Sequence, residues 1–540
     1  MYQYLERLNF LILTVFLVIF IVPIFYVFIN IFAETSDTWI HIKNYLLFDY
    51  VKNSLIIVIS VAAITIFIGV TLAWIISMYS FPGVNVFKWL VILPMAIPAY
   101  VNGYIYAGLN ETSGLLFNFF DFFYNSGPYI YDLYDVKNIY GAIFILSISL
   151  YPYVYLLCLP ALATHSKSIF EIGESMGLSE YEKLKKIGLP IIRPAIIAGV
   201  SFVIMETLAE YATVKYFGVA TFATGIFRSW YVLGDENSSF YLSSMLLILV
   251  FLIIYFEQYT RGARKFNNPV TKISPMEKDK VDKKFSYAFS SFCTLVILLG
   301  FIIPVMQLLY WAAYSLNEVD ISFIFNLISS SISVALVASL VIITFTINVA
   351  YLTRSKKSLF NTSMSKVLSV GYAIPGVVLA VAVIGPISFL ENTLPTIFNL
   401  EPGSIFTGTF ILLITAYLIR FSTISLKTFD SGLNKISKSY DLVSLGFGLT
   451  RLQTLFKVHL PILLPSIYTA GILVLVDILK ELPVTLILRP FNFNTLPTYL
   501  YELAESENLS YMGVPGLFLI LICLIPVIIL TKGLIKYDKK

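Results

Sequence analysis

Four acidic side chains stand in otherwise apolar stretches: Glu206 and Glu210 in one, Asp477 and Glu481 in another. Each pair is spaced four residues apart, which on a helix places both carboxylates on one face. Charge inside an apolar segment is costly and is by default a functional hypothesis. In a wet passage such groups would tolerate or guide a cation; otherwise they would brace helices with hydrogen bonds. Lys480 can pair with Asp477, and Lys215 lies beyond Glu210. Four carboxylates against two cations leave a modestly acidic patch. Glu206, Glu210, Asp477, Lys480 and Glu481 are therefore the candidate translocation path. No nucleophile, metal cluster or acid–base constellation accompanies them. His41, His165 and His459 lie far apart, and Cys158, Cys293 and Cys523 have unrelated spacings. The chain lacks a G-x-x-x-x-G-K-[ST] phosphate loop, so no catalytic residue, metal or cofactor of its own is expected.

The elements that carry these groups follow from composition. The 540 residues are 58% hydrophobic and only 13% charged, and mean hydropathy is +0.84. An average soluble domain is roughly 25% charged. Twelve runs are long enough to cross a bilayer: 9–32, 53–79, 89–110, 138–164, 191–213, 237–256, 285–317, 321–353, 367–390, 402–424, 458–476 and 508–531. Ten of them hold no Asp, Glu, Lys or Arg; 402–424 holds Arg420, and 191–213 holds Arg193, Glu206 and Glu210. The sequence predicts an all-α polytopic membrane protein whose first run is a retained span rather than a signal peptide. Lysines and arginines gather at 261–284 and 354–366, while loops such as those bearing Glu111, Glu318, Asp320 and Glu391 are acidic. Basic loops stay inside, so both termini are expected in the cytoplasm. The basic run reads as a tether flanking the membrane, not a nucleic-acid site. The Tyr-rich 124–140 stretch reads as an interfacial aromatic belt.

Six spans precede the basic run and six follow it, and the halves repeat. "GLPIIRPAI" at 188–196 answers "HLPILLPSI" at 459–467, offset by 271; "AIP" at 96–98 answers "AIP" at 373–375, offset by 277. Each half holds an even number of spans, so the repeats are parallel and a pathway is expected between them. The expected organisation is a first half 1–260, a linker 261–284 and a second half 285–540. A charged loop recurs in each half, at 171–190 and 442–461. The offset aligns Gly177 with Gly448, Ile187 with Val458, Leu189 with Leu460 and Pro190 with Pro461. The glycine permits a sharp turn, an amphipathic helix can follow, and the proline is expected to start the next span. A docking surface for a cytoplasmic partner requires such a loop; a simple connection does not.

Glu171, Gly177, Ile187, Leu189 and Pro190 resemble the EAA loop of ABC-importer permeases. The two alanines of that motif are Ile172 and Gly173 here, and Leu442 replaces the glutamate in the second copy, with Asp441 beside it. The segments 205–235 and 476–504 resemble those that follow the EAA loops in fused, two-half ferric-iron permeases. The resemblance spans essentially the whole chain. It implies a type I importer permease fold in a bacterial plasma membrane, with coupling helices seated in two copies of a cytoplasmic ABC ATPase that hydrolyses MgATP. It also implies an extracytoplasmic binding protein that delivers ferric iron, and alternating access. Related permeases for thiamine, phosphonate or polyamines share this architecture. An ion-coupled secondary transporter, the reading from another class, would have no reason to duplicate the loop.

Overall fold

A backbone in hydrocarbon must satisfy its own polar groups, so a chain this apolar has helices or a closed barrel as its options. The computed structural model, which describes residues 2–124, 135–163, 173, 175–261, 278–355, 358–398 and 406–538, is helical. Among the described residues eleven helices are long and apolar enough to cross a membrane, or up to twelve if one bent pair counts as a span. Each apolar run read from the sequence has a counterpart. The Tyr-rich 125–134 segment and most of the basic linker lie outside the described residues. Beyond the helices, Tyr79–Ser80 pairs in parallel with Asp279–Lys280.

Two expected spans, 89–110 and 367–390, need correcting. The run 89–110 is not a straight helix: Val84–Ala96 and Ala99–Gly108 meet at 87°. The cause is the repeated "AIP". A proline disfavours the helical conformation in the residue before it. Ile97 and Ile374 accordingly turn extended, with ψ of 119° and 121°, each after a short 3-10 turn. A new helix then starts at Ala99 and at Gly376.

The chain forms two compact units that interleave in sequence. One comprises Met1–Ile42, Gly225–Leu247 and Asp320–Tyr499; the other comprises Lys43–Thr224, Ile248–Val319 and Leu500–Lys540. The sequence repeats and the compact units thus divide the chain differently. In the second of these units, Leu47–Met78 packs on Ile139–Ala163, which also meets Leu189–Ala209. Small residues permit the approach: Gly69 and Gly199 both face Val154, where an added Cβ would fall within 2.8 and 2.9 Å of its atoms. In the other unit, Ile321–Ser355 packs on Phe410–Asn434 and Leu460–Lys480, with Thr346 and Ser425 hydroxyls 2.6 Å apart. Phe67, Leu340 and Ile525 leave large apolar surface exposed on the spans, as lipid-facing positions require. The three cysteines are buried and none of them forms a disulfide.

Candidate functional site: two capped loops and two helix breaks

The glycine turns of the loops form as the sequence predicts. Gly177 and Gly448 have φ of +73° and +74°. Each closes a helix end in the same way: Leu178 N donates to Gly173 O at 3.1 Å, and Leu449 N to Ser444 O at 3.0 Å. A bond from the residue after a left-handed glycine back to the last turn is the Schellman motif. A capping box follows at once in both copies. Ser179 N donates to Glu182 and Glu182 N to Ser179 Oγ; Thr450 N donates to Gln453 and Gln453 N to Thr450 Oγ1. "SEYE" and "TRLQ" carry that signal in the sequence.

Pro190 and Pro461 stand in the first turn of Leu189–Ala209 and Leu460–Lys480, as expected, but helix also precedes them. The helix runs on from Glu180 to Ala209, and the equivalent one from Leu455 to Lys480. A π turn, Leu184–Gly188 or Leu455–His459, precedes each proline. Proline cannot donate and crowds the carbonyl one turn back, and the wider turn accommodates both effects. Ile187 and Val458 lie in these π turns, half-buried like Leu189 and Leu460. A Cβ on Gly173 would stand 2.6 Å from the Ile187 Cδ1 methyl, and the equivalent residue is buried Ser444. That position requires a small residue rather than alanine itself. Glu171 lies outside the described residues.

The acidic pairs do not share a helix face. The two helices end at Ala209 and Lys480, and Glu210 and Glu481 turn extended with ψ of 120° and 125°. Each carboxylate instead caps the next short helix. Glu210 Oε1 accepts from Thr213 N and Oγ1, both at 2.9 Å. Glu481 Oε1 accepts from Val484 N at 3.0 Å, while Oε2 accepts from Thr485 N at 3.0 Å and its Oγ1 at 3.1 Å. Glu206, Asp477 and Lys480 are half-buried on the last helical turns. A small polar cavity lies behind each break. Ser54, Thr207, Glu210 and Thr221 line one; Ser331, Tyr417, Thr485 and Thr495 line the other. The same two serines cap the following helices, Ser54 accepting from Phe222 N at 3.2 Å and Ser331 from Leu496 N at 2.8 Å.

These paired devices recur at offsets of 271, 274 and 277, and the comparison with known families agrees. The description "binding-protein-dependent transport system inner membrane component" matches residues 65–265 and again 348–537. The chain belongs to this permease family. The Fe(3+)-transport system permease protein FbpB 2 of Haemophilus influenzae is 23% identical over 494 residues, 90% of each chain. The ferric transport system permease protein FbpB of Actinobacillus pleuropneumoniae is 24% identical over 406 residues, 70% of this chain and 56% of its own. The sulfate transport system permease protein CysT of Escherichia coli is 27% identical over 148 residues, 27% of this chain and half of its own.

Two charged residues of this permease do something that spacing did not reveal. Lys215 joins segments far apart in sequence. It bridges Glu505 at 2.5 Å and donates to the Tyr501 hydroxyl at 2.6 Å, and Tyr501 meets the Tyr211 hydroxyl at 3.2 Å. Burial works against the Lys215 ammonium, yet Glu505 and Tyr501 raise its pKa above the ordinary value. In the other compact unit Arg420, only 6% exposed, donates to Ile374 O at 3.2 Å and acts electrostatically on buried Glu481. Arg420 lies 61 residues before Glu481, so no local pattern connects them.

Proposed function

We propose that this permease carries ferric iron in an ATP-driven importer, using the 171–190 and 442–461 loops as docking helices for two copies of a cytoplasmic ATPase. The observation that supports the coupling role is the duplicated Schellman turn and capping box. Together they present large apolar side chains on polar loops. Met176 and Tyr181 stand 73% and 69% exposed on the first loop; Leu442, Phe447 and Phe456 stand 70%, 82% and 64% exposed on the second. Apolar surface of this kind on a charged loop suits a protein cleft. The ferric cargo rests on relatives that match 90% and 70% of the chain, whereas the sulfate relatives match about a quarter of it. An extracytoplasmic binding protein would supply selectivity, and the permease would hold cargo weakly while it alternates access. ATP and magnesium belong to the ATPase.

Proteoliposomes holding the permease, its ATPase and its binding protein test the cargo. ATP-dependent uptake of radioactive iron(III) is expected, and uptake of radiolabelled sulfate in its place would overturn the assignment. Orientation is tested separately. A cysteine replacing Lys435 should be shielded from an impermeant thiol reagent added to intact cells, and one replacing Thr112 should react; both positions are exposed. The reverse pattern would turn the loops away from any cytoplasmic partner.

A further inference from the structure

The two coupling loops are anchored by different chemistry. In the second, the Asp441 carboxylate sits between two cationic or donor side chains from distant segments. Arg354 Nη2 lies 2.8 Å from its Oδ2, and His459 Nε2 lies 2.7 Å from its Oδ1. His459 is fully buried, and Arg354 and Asp441 are 12% and 30% exposed. The Nδ1 atom of His459 has no hydrogen-bond partner, so the neutral ring donating from Nε2 to Asp441 suits the site. Arg354 also donates to the carbonyls of Leu433 at 2.5 Å and Ile436 at 3.0 Å. Leu433 lies in the last turn of Phe410–Asn434 and Ile436 just beyond it, so Arg354 ties down that helix end. One carboxylate thus connects the ends of Ile321–Ser355 and Phe410–Asn434, the start of Ser439–Gly446 and the π turn at Leu455–His459.

The first repeat cannot build this network. The offsets place Ser77, Phe170 and Gly188 where Arg354, Asp441 and His459 stand. Gly188 faces the Trp74 ring, whose Cζ3 would lie 2.6 Å from an added Cβ. The first loop is joined instead through Glu180, which accepts from the Tyr79 hydroxyl at 2.5 Å and pairs with Lys183 at 2.5 Å.

We propose that Asp441 is a positioning residue for energy coupling: it clamps the second loop to the helical core through Arg354 and His459, so this loop transmits motion more rigidly than the first. The proposal rests on the reading of 442–461 as an ATPase-docking loop. Asp441 does not need to touch the ATPase, because the exposed docking side chains are Leu442, Phe447 and Phe456. A clamp with two discrete arrangements, intact and released, can carry coupling between a docking site and the spans.

The test uses the complete importer in proteoliposomes and reads cargo moved per ATP hydrolysed, with ATPase association and thermal stability measured on the same preparations. D441N should lower the ratio about tenfold, within the usual range for a coupling interaction, while association persists. H459L, which leaves the Arg354–Asp441 bridge in place, should lower the ratio less. H459Q, whose amide can replace the Nε2 donor, should recover it. A D441N importer with an unchanged ratio would overturn the proposal, and so would one that has lost the ATPase, because Asp441 would then belong to the docking face. If D441N fails to accumulate, the pair H459L and H459Q decides: equal ratios in both overturn the clamp. Wild-type permease that never associates with an ATPase would instead remove the functional reading beneath it.

Discussion

Gly448→Arg is expected to abolish transport and to release the ATPase while the permease stays in the membrane, and Gly177→Arg is expected to do the same. Both glycines lie in the left-handed region, at φ of +74° and +73°, where a side chain costs about 1–2 kcal/mol. Among the described residues, nothing beyond the chain neighbours lies within 4 Å of the Cβ that either substitution would add. Steric clash therefore contributes nothing, and alanine should pay only the backbone term. Gly448→Ala and Gly177→Ala should retain partial transport. Arginine adds a long charged side chain beside the exposed Phe447 or Met176, at a surface meant for an apolar cleft. Co-purification of the ATPase with each variant, set beside uptake, separates the two effects. Full transport with either arginine variant would remove the account of the loops, and equal loss with alanine and arginine would reduce that account to turn geometry.

What the sequence made legible was whatever depends on local pattern. Spans follow from runs of apolar residues, so all twelve have counterparts, and the turns at Gly177 and Gly448 follow from residue type and spacing. The capping boxes at Ser179 and Thr450 are equally local, carried by the residues "SEYE" and "TRLQ". The π turns before Pro190 and Pro461 were not legible. A proline is compatible with either a helix start or a widened turn, and tertiary packing chooses between them. Spacing also misled at Glu210 and Glu481. A four-residue interval implies a shared face only if the helix continues, and both helices stop one residue too soon. The threonine or Val–Thr segment that follows each glutamate offered the competing signal, since free N–H groups at a helix start attract a carboxylate. The partners of Lys215, Arg420 and Asp441 lie 290, 61 and 87 residues away (Glu505, Glu481 and Arg354), beyond the reach of any periodicity.

The two helix breaks look alike in backbone, but their substitutions should part sharply. Glu481→Gln is expected to deplete folded permease, whereas Glu210→Gln should be close to neutral. At Glu210 both bonds from Thr213 fall on one oxygen, so a glutamine can aim its carbonyl there and lose about 1 kcal/mol or less. At Glu481 both oxygens accept, one from Val484 and the other from Thr485. A glutamine there must turn its NH2 group toward a donor. It also removes a charge that interacts electrostatically with buried Arg420; Arg420 Nη1 and Glu481 Oε1 lie 2.9 and 3.0 Å from the point a Cβ on Gly376 would occupy. A buried donor facing a misplaced amide costs about 1–3 kcal/mol, a large share of a unit's stability. The first repeat has Ser149 where Arg420 stands, bonded to Asn102 at 2.9 Å, so Glu210 has no such cation to abandon. Replacing both members, Arg420→Leu with Glu481→Gln, should therefore restore part of what Glu481→Gln alone loses. Thermal stability of the detergent-purified variants checks the order. Similar losses for the two glutamine variants, or a double variant worse than Glu481→Gln, would mean that Arg420 is stabilised by its carbonyl contact and not by the carboxylate across from it.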